Sequence, residues 1–215
     1  MACVSRNSPG AGESKTSLWK THVTRFAYYD NLDADQKRTY RKSDAIRRVE
    51  IPGLASLVPL AKSLGPILAS GERSGVERIC QALVDGINSR LGAPPVAVKV
   101  MERRPANSGG ELQGLYDPDE VTGGTARITV WMRTAQRVQV VAFRTFLRTL
   151  LHEVCHHLDY EHYKLPETFH TEGFYARESA MTRELLGEPL AGDASVREAG
   201  AGDAPRRSPR GAPGS

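Results

Sequence analysis

The sequence predicts an α+β protein in which a small twisted β-sheet packs on one long helix, with an additional N-terminal helical region. Three observations lead there. Apolar residues alternate over 94–102 and 126–134, as on half-buried strands. They recur at three- and four-residue spacing over 75–92 and 137–163, as on helices. The longer of these helices carries His152, Glu153 and His156 among its apolar residues.

In chain order, residues 1–16 are rich in Ser and Gly and are expected to be disordered. WKTHVTRFAYYDNL (19–32) fits a strand or a short helix equally well. The segment that follows carries Lys37, Arg38, Arg41, Lys42, Arg47 and Arg48, with Asp33, Asp35 and Asp44 interleaved; it reads as a solvated helix face. In GVERICQALVDGINSRLG, Val76, Ile79, Cys80, Leu83, Val84, Ile87 and Leu91 mark one helix face, and Gly92 is a stop signal. Val96, Val98 and Val100 predict a strand, and ELQGLYDPDEVTGG an extended piece ending in a turn. In ARITVWMRT, Ile128, Val130 and Met132 share one face. Residues 137–163 read as one buried helix, joined through LPETFH to a second helix that Gly187 ends. The tail 187–215 is dominated by Gly, Ala, Pro and Ser and is expected to be disordered. The organisation is therefore a mainly helical region over 17–92 and a core over 93–186, in a chain of 215 residues long enough for one domain.

Composition narrows the classes. A net charge of +4 is too mild to argue for nucleic acid by itself. The most apolar stretch, IPGLASLVPLAKSLGPILAS, is broken by Pro52, Pro59, Lys62 and Pro66, so no membrane span is expected. MACVSRNSPG lacks the apolar segment of a signal peptide. Cys3, Cys80 and Cys155 are odd in number and widely spaced, which fits reduced thiols and a cytoplasmic location.

His152 and His156 lie four residues apart, on one helix face, so both imidazoles can reach one ion. Glu153 points about 100° around the axis, too far to ligate but near enough to face a water on that ion. This is the HExxH arrangement. A catalytic zinc needs three protein ligands and an open position. Two residues compete to be the third ligand: His170, opening the next helix, and Glu178, further along it; His170 is favoured. Glu167 and Glu172 look loop-facing. Asp159 is placed either to orient a ligand imidazole or simply to be solvated, and Tyr160 and Tyr175 either to donate to an oxyanion or to fill the core. His157 and His162 are expected at the surface, Cys155 in packing, and Arg133, Arg137, Arg144 and Arg148 in solvent; Arg177 has Asp159 or Glu178 as a partner.

HEVCHHLDY and FHTEGFYARES together resemble the active-site region of zincin metallopeptidases, in particular the SprT-like and minigluzincin-type small bacterial groups. The resemblance spans residues 96–186 and is specific over 150–174. It implies Zn2+ on His152, His156 and His170, with Glu153 as general base. It also implies that ARITVWMRT is the edge strand that pairs with an extended peptide. Thr171 departs from the SprT-like pattern, where Gly follows the third His, and no CxxC pair follows, so the zinc ribbon of many members is missing. Glu178 keeps the glutamate-ligand pattern open.

The expectation is a zinc-dependent metallopeptidase acting on a peptide or protein substrate, with GLYDP (114–118) as a wall of the cleft. The alternative is a zinc-stabilised binding module, nucleic-acid associated through the basic 37–48 segment. The sequence does not give the oligomeric state.

Overall fold

From the N-terminus, the chain forms strand β1 (Ala2–Val4), a 3-10 turn (Ala27–Asn31), helix α1 (Ala34–Ala45), a second 3-10 turn (Leu54–Leu57), and helices α2 (Val58–Ser70) and α3 (Arg73–Leu91). Strands β2 (Ala97–Arg103), β3 (Ala106–Asn107), β4 (Gly110–Asp117) and β5 (Arg127–Arg133) follow, then helices α4 (Phe143–Glu161) and α5 (Glu172–Leu186). This computed structural model describes residues 2–4, 26–107, 110–118 and 125–189. The expected disordered stretches fall mostly outside these residues, except that Ala2–Val4 pair with β4. Gly71, Gly92 and Gly187, all at positive φ, cap α2, α3 and α5, where a left-handed residue closes the last turn. Asp33 opens α1 with a capping box completed by Gln36.

The sheet runs β1-β4-β5-β2, with β3 forming a hairpin on β4. β5 is antiparallel to β4 and parallel to β2. It is therefore an interior strand, not the edge strand expected of residues 126–133; both of its sides are already paired. Which strands stand at an edge depends on strand order, and alternation within one strand carries no information about that. One face of the sheet is apolar: Val98, Val100, Tyr116, Ile128, Val130 and Met132 are buried. Helix α3 packs on this layer at β2, and α4 packs on it at β4 and β5.

Helix α4 begins at Phe143, six residues later than its apolar pattern suggests. Val138 sits at φ 53°, and the Val141 N–H donates to the Met132 carbonyl, so residues 138–141 turn back onto β5 before the helix opens.

One buried apolar cluster joins Leu54, Leu57, Ala61 and Leu64 of the N-terminal region to Leu147, Leu151 and Leu185 of α4 and α5. The regions on either side of residue 92 thus share a core. A smaller cluster of Tyr29, Tyr40 and Phe169 holds the first 3-10 turn and α1 against the loop between α4 and α5. Among the described residues, no helix is long and apolar enough to cross a membrane. The basic residues of 37–48 are mostly exposed, and several pair locally: Arg38 with Asp35, Arg48 with Glu50 and Glu184.

Candidate metal centre

Helix α4 presents His152 and His156 from adjacent turns, and the loop entering α5 brings His170 over them. The three Nε2 atoms converge. They lie 2.9 Å apart for His152–His170, 3.1 Å for His156–His170 and 3.2 Å for His152–His156. Tetrahedral ligands at zinc–nitrogen distances of ~2.0–2.1 Å stand about 3.3 Å from one another, close to this spacing.

The tautomers follow from the other ring nitrogens. His152 Nδ1–H donates to Glu178 Oε2 at 2.7 Å, because a carboxylate can only accept. Thr168 donates its single hydroxyl proton to Asp159 Oδ2 at 2.7 Å and so accepts from His156 Nδ1–H at 2.8 Å. Both Nε2 atoms then carry lone pairs that face each other, with His170 Nε2 as the third member of the group. A cation resolves that arrangement, and the three imidazoles form a group able to hold a metal ion. Burial lowers the His156 pKa well below the ordinary range, and burial also lowers that of His170, to about 4. Neutral imidazole is the form that ligates.

Glu178 therefore does not stand as a third donor; it lies behind His152. Burial opposes its ionisation, but the hydrogen bonds from His152 and Arg148 overcome this and hold its carboxyl below the usual range. Asp159 is fully buried rather than solvated. Burial raises its pKa against the pull of Arg177, whose Nη2 donates to both carboxylate oxygens at 2.6 and 2.8 Å. It acts on His156 through Thr168. Arg177 also donates to the Ser43 and Ile46 carbonyls at the end of α1.

Glu153 is fully buried; its carboxylate oxygens make no hydrogen bond of good geometry among the described residues, and the Tyr116 backbone favours its charged form only weakly against burial. Burial pushes its carboxyl up to about 8. Its neighbour is β4: a Cβ on Gly114 would stand 2.2 Å from Glu153 Oε1. The expected wall at residues 114–118 thus includes the strand that passes over Glu153.

The Phe174 ring lies against all three imidazoles, at 4.8, 4.7 and 5.2 Å from those of His152, His156 and His170. Tyr175 stacks on His170 at 5.8 Å. Tyr160 instead stacks on Tyr116, on the sheet side of α4. His162 is exposed, but His157 is not: it is fully buried among Asn88, the Pro94 carbonyl and Tyr116. Its partners come from three distant segments, which is why spacing alone placed it at the surface. Cys155 is buried in the core. Glu167 accepts from Gln36, and Glu172 sits in the first turn of α5.

Sequence reading gave Thr168 no role, placed Arg148 in solvent rather than on Glu178, and took Gly114 only as part of a cleft wall. No spacing marks Thr168 or Arg148. Gly114 did carry a signal, because glycine inside a strand often marks a close approach by another group.

Compared with protein-family models, with curated proteins and with solved structures, the chain finds no match in any of the three.

Proposed function

We propose that the chain is a zinc-dependent metallopeptidase, with Zn2+ held by His152, His156 and His170 and with Glu153 as general base. The observation that carries this reading is the convergence of three Nε2 atoms beside a buried carboxylate one residue along the same helix. Zinc, when bound, supplies Lewis acidity towards a water and a carbonyl oxygen. Glu153 takes the proton of that water and delivers it to the leaving nitrogen. Its burial keeps bulk solvent from competing for its lone pairs. Glu178 and Thr168 fix the two imidazole orientations through Nδ1, so that the lone pairs stay convergent. The substrate is an extended peptide running along β4, whose Gly114 leaves clearance over Glu153.

The test pairs elemental analysis with turnover of labelled casein. The wild type should hold close to one zinc per chain, and His170→Ala should lose it. Glu153→Gln should keep its zinc and lose about 10²–10⁴-fold in turnover, the usual contribution of a positioned base. Unchanged zinc in His170→Ala, or unchanged turnover in Glu153→Gln, would refute the assignment.

A further inference from the structure

The inner side of β4 is occupied by β5, from Gly114 opposite Val130 to Asp117 opposite Arg127. Its outer side is occupied too. Ala2 lies opposite Leu115, Cys3 opposite Gly114 and Val4 opposite Leu112, in an antiparallel ladder whose register shifts between Cys3 and Val4. In the strand order β1 stands last. The middle pair of that ladder falls on Gly114, the residue that passes over the Glu153 carboxylate. Any chain paired along the outer side of β4 therefore runs beside Gly114, the residue that packs on Glu153.

We propose that Ala2–Val4 is a built-in occupant of the β4 outer edge, one that an extended polypeptide must displace to reach the site. The clash is one of main-chain groups. A strand edge offers one row of N–H and C=O groups, and an added strand needs the same row. The occupant is fit to yield. Three residues with a register shift make a short ladder at the end of the sheet, where only one side of the added strand is paired. It is also fit to compete, since a segment of the same chain acts at an effective concentration on the order of millimolar. The edge is thereby masked against casual pairing without being sealed. The effect on turnover rests on the peptidase reading; the competition for the edge does not.

The experiment uses the full-length, zinc-loaded chain with Glu153→Gln, so that binding is read without cleavage. Ala2→Pro with Val4→Pro removes two N–H donors from β1. Fluorescein-labelled β-casein, an extended polypeptide, is the probe, read by anisotropy; amide hydrogen exchange is followed over Gly110–Asp117 and over α4. The expected result is casein binding tighter by about tenfold or more, with faster exchange in β4 and unchanged exchange in α4. Cys3→Pro, a single change opposite Gly114, replaces the double variant if that one loses α4 protection.

Unchanged β4 exchange would overturn the proposal, since β1 would then not hold the edge. Faster β4 exchange with unchanged casein affinity would overturn it as well, since the edge would not be where the polypeptide binds. Tighter binding with no cleavage by the chain that keeps Glu153 would defeat the peptidase reading and leave the competition standing.

Discussion

Gly114 and Glu153 are fitted to each other: the strand lies so near the helix that a Cβ on Gly114 would come within 2.2 Å of Glu153 Oε1. The absent side chain is the clearance the carboxylate needs. Gly114→Ala should push Glu153 aside while leaving the three histidines in place. A misplacement of about 1 Å at a catalytic group costs on the order of a hundredfold in rate. Casein turnover should fall by that order with zinc content unchanged; normal turnover would show that Glu153 tolerates the displacement.

Glu178 accepts from His152 Nδ1–H and, on the proposed reading, would act on the metal through that ring. Glu178→Gln keeps the shape but offers a neutral acceptor. Zinc affinity, measured by competition with a chelating dye, should fall about 10–100-fold, while saturating zinc still brings the content close to one per chain. A complete loss at saturation would mean that Glu178 itself ligates.

Arg177 is fully buried, and so is the Asp159 it pairs with. Arg177→Met would leave that carboxylate buried without its cation, which typically costs about 3–5 kcal/mol. Urea denaturation should report a loss of that order. Thr168→Val leaves the ion pair intact and should act mainly on zinc affinity, through the orientation of His156.

Acidification of the metal-free protein should destabilise it, with a sign set by the histidines. Burial lowers the folded-state pKa of His157 and His156, and burial lowers that of His170 to about 4, whereas the unfolded chain titrates at the ordinary 6.5. Below that value the unfolded state binds more protons. The contribution of the three histidines is therefore full above about pH 6.5 and declines towards pH 4. Glu153, whose carboxyl burial pushes up to about 8, works in the opposite sense between the ordinary carboxyl range and pH 8, one group against three, so the histidines set the net sign. Thermal scans in chelator at pH 7 and pH 5 should show the midpoint dropping by several degrees at the lower pH. A midpoint independent of pH both in this protein and in Glu153→Gln, which removes the opposing carboxyl, would mean that these imidazoles charge freely in the folded state.

The α+β class, the α4 and α5 helices and the His152–Glu153–His156 face were legible because periodicity and i,i+4 spacing are local properties. His170 and Glu178 both stood out as candidates, with His170 favoured, but no local pattern could place His170 over the pair and Glu178 behind His152. That placement depends on how residues 162–171 turn, with Leu165 N–H bonded to the Asp159 carbonyl and Tyr28 donating to the His170 carbonyl across the fold. The interior position of β5 and the burial of His157 were hidden for the same reason: each is decided by segments remote in sequence.

The clamp on the α4–α5 loop has one more consequence. Tyr28 holds the His170 carbonyl at 2.9 Å, and Asp44 accepts from the Gly173 N–H at 2.9 Å while its own carbonyl fills the space a Gly173 side chain would need. A synthetic peptide spanning residues 150–178 would contain every candidate ligand yet lack the parts that aim them. The aiming belongs to a stretch of chain more than a hundred residues upstream. The convergence of the three imidazoles is therefore a property of the whole folded molecule, and no short excerpt around HEVCH can reproduce it.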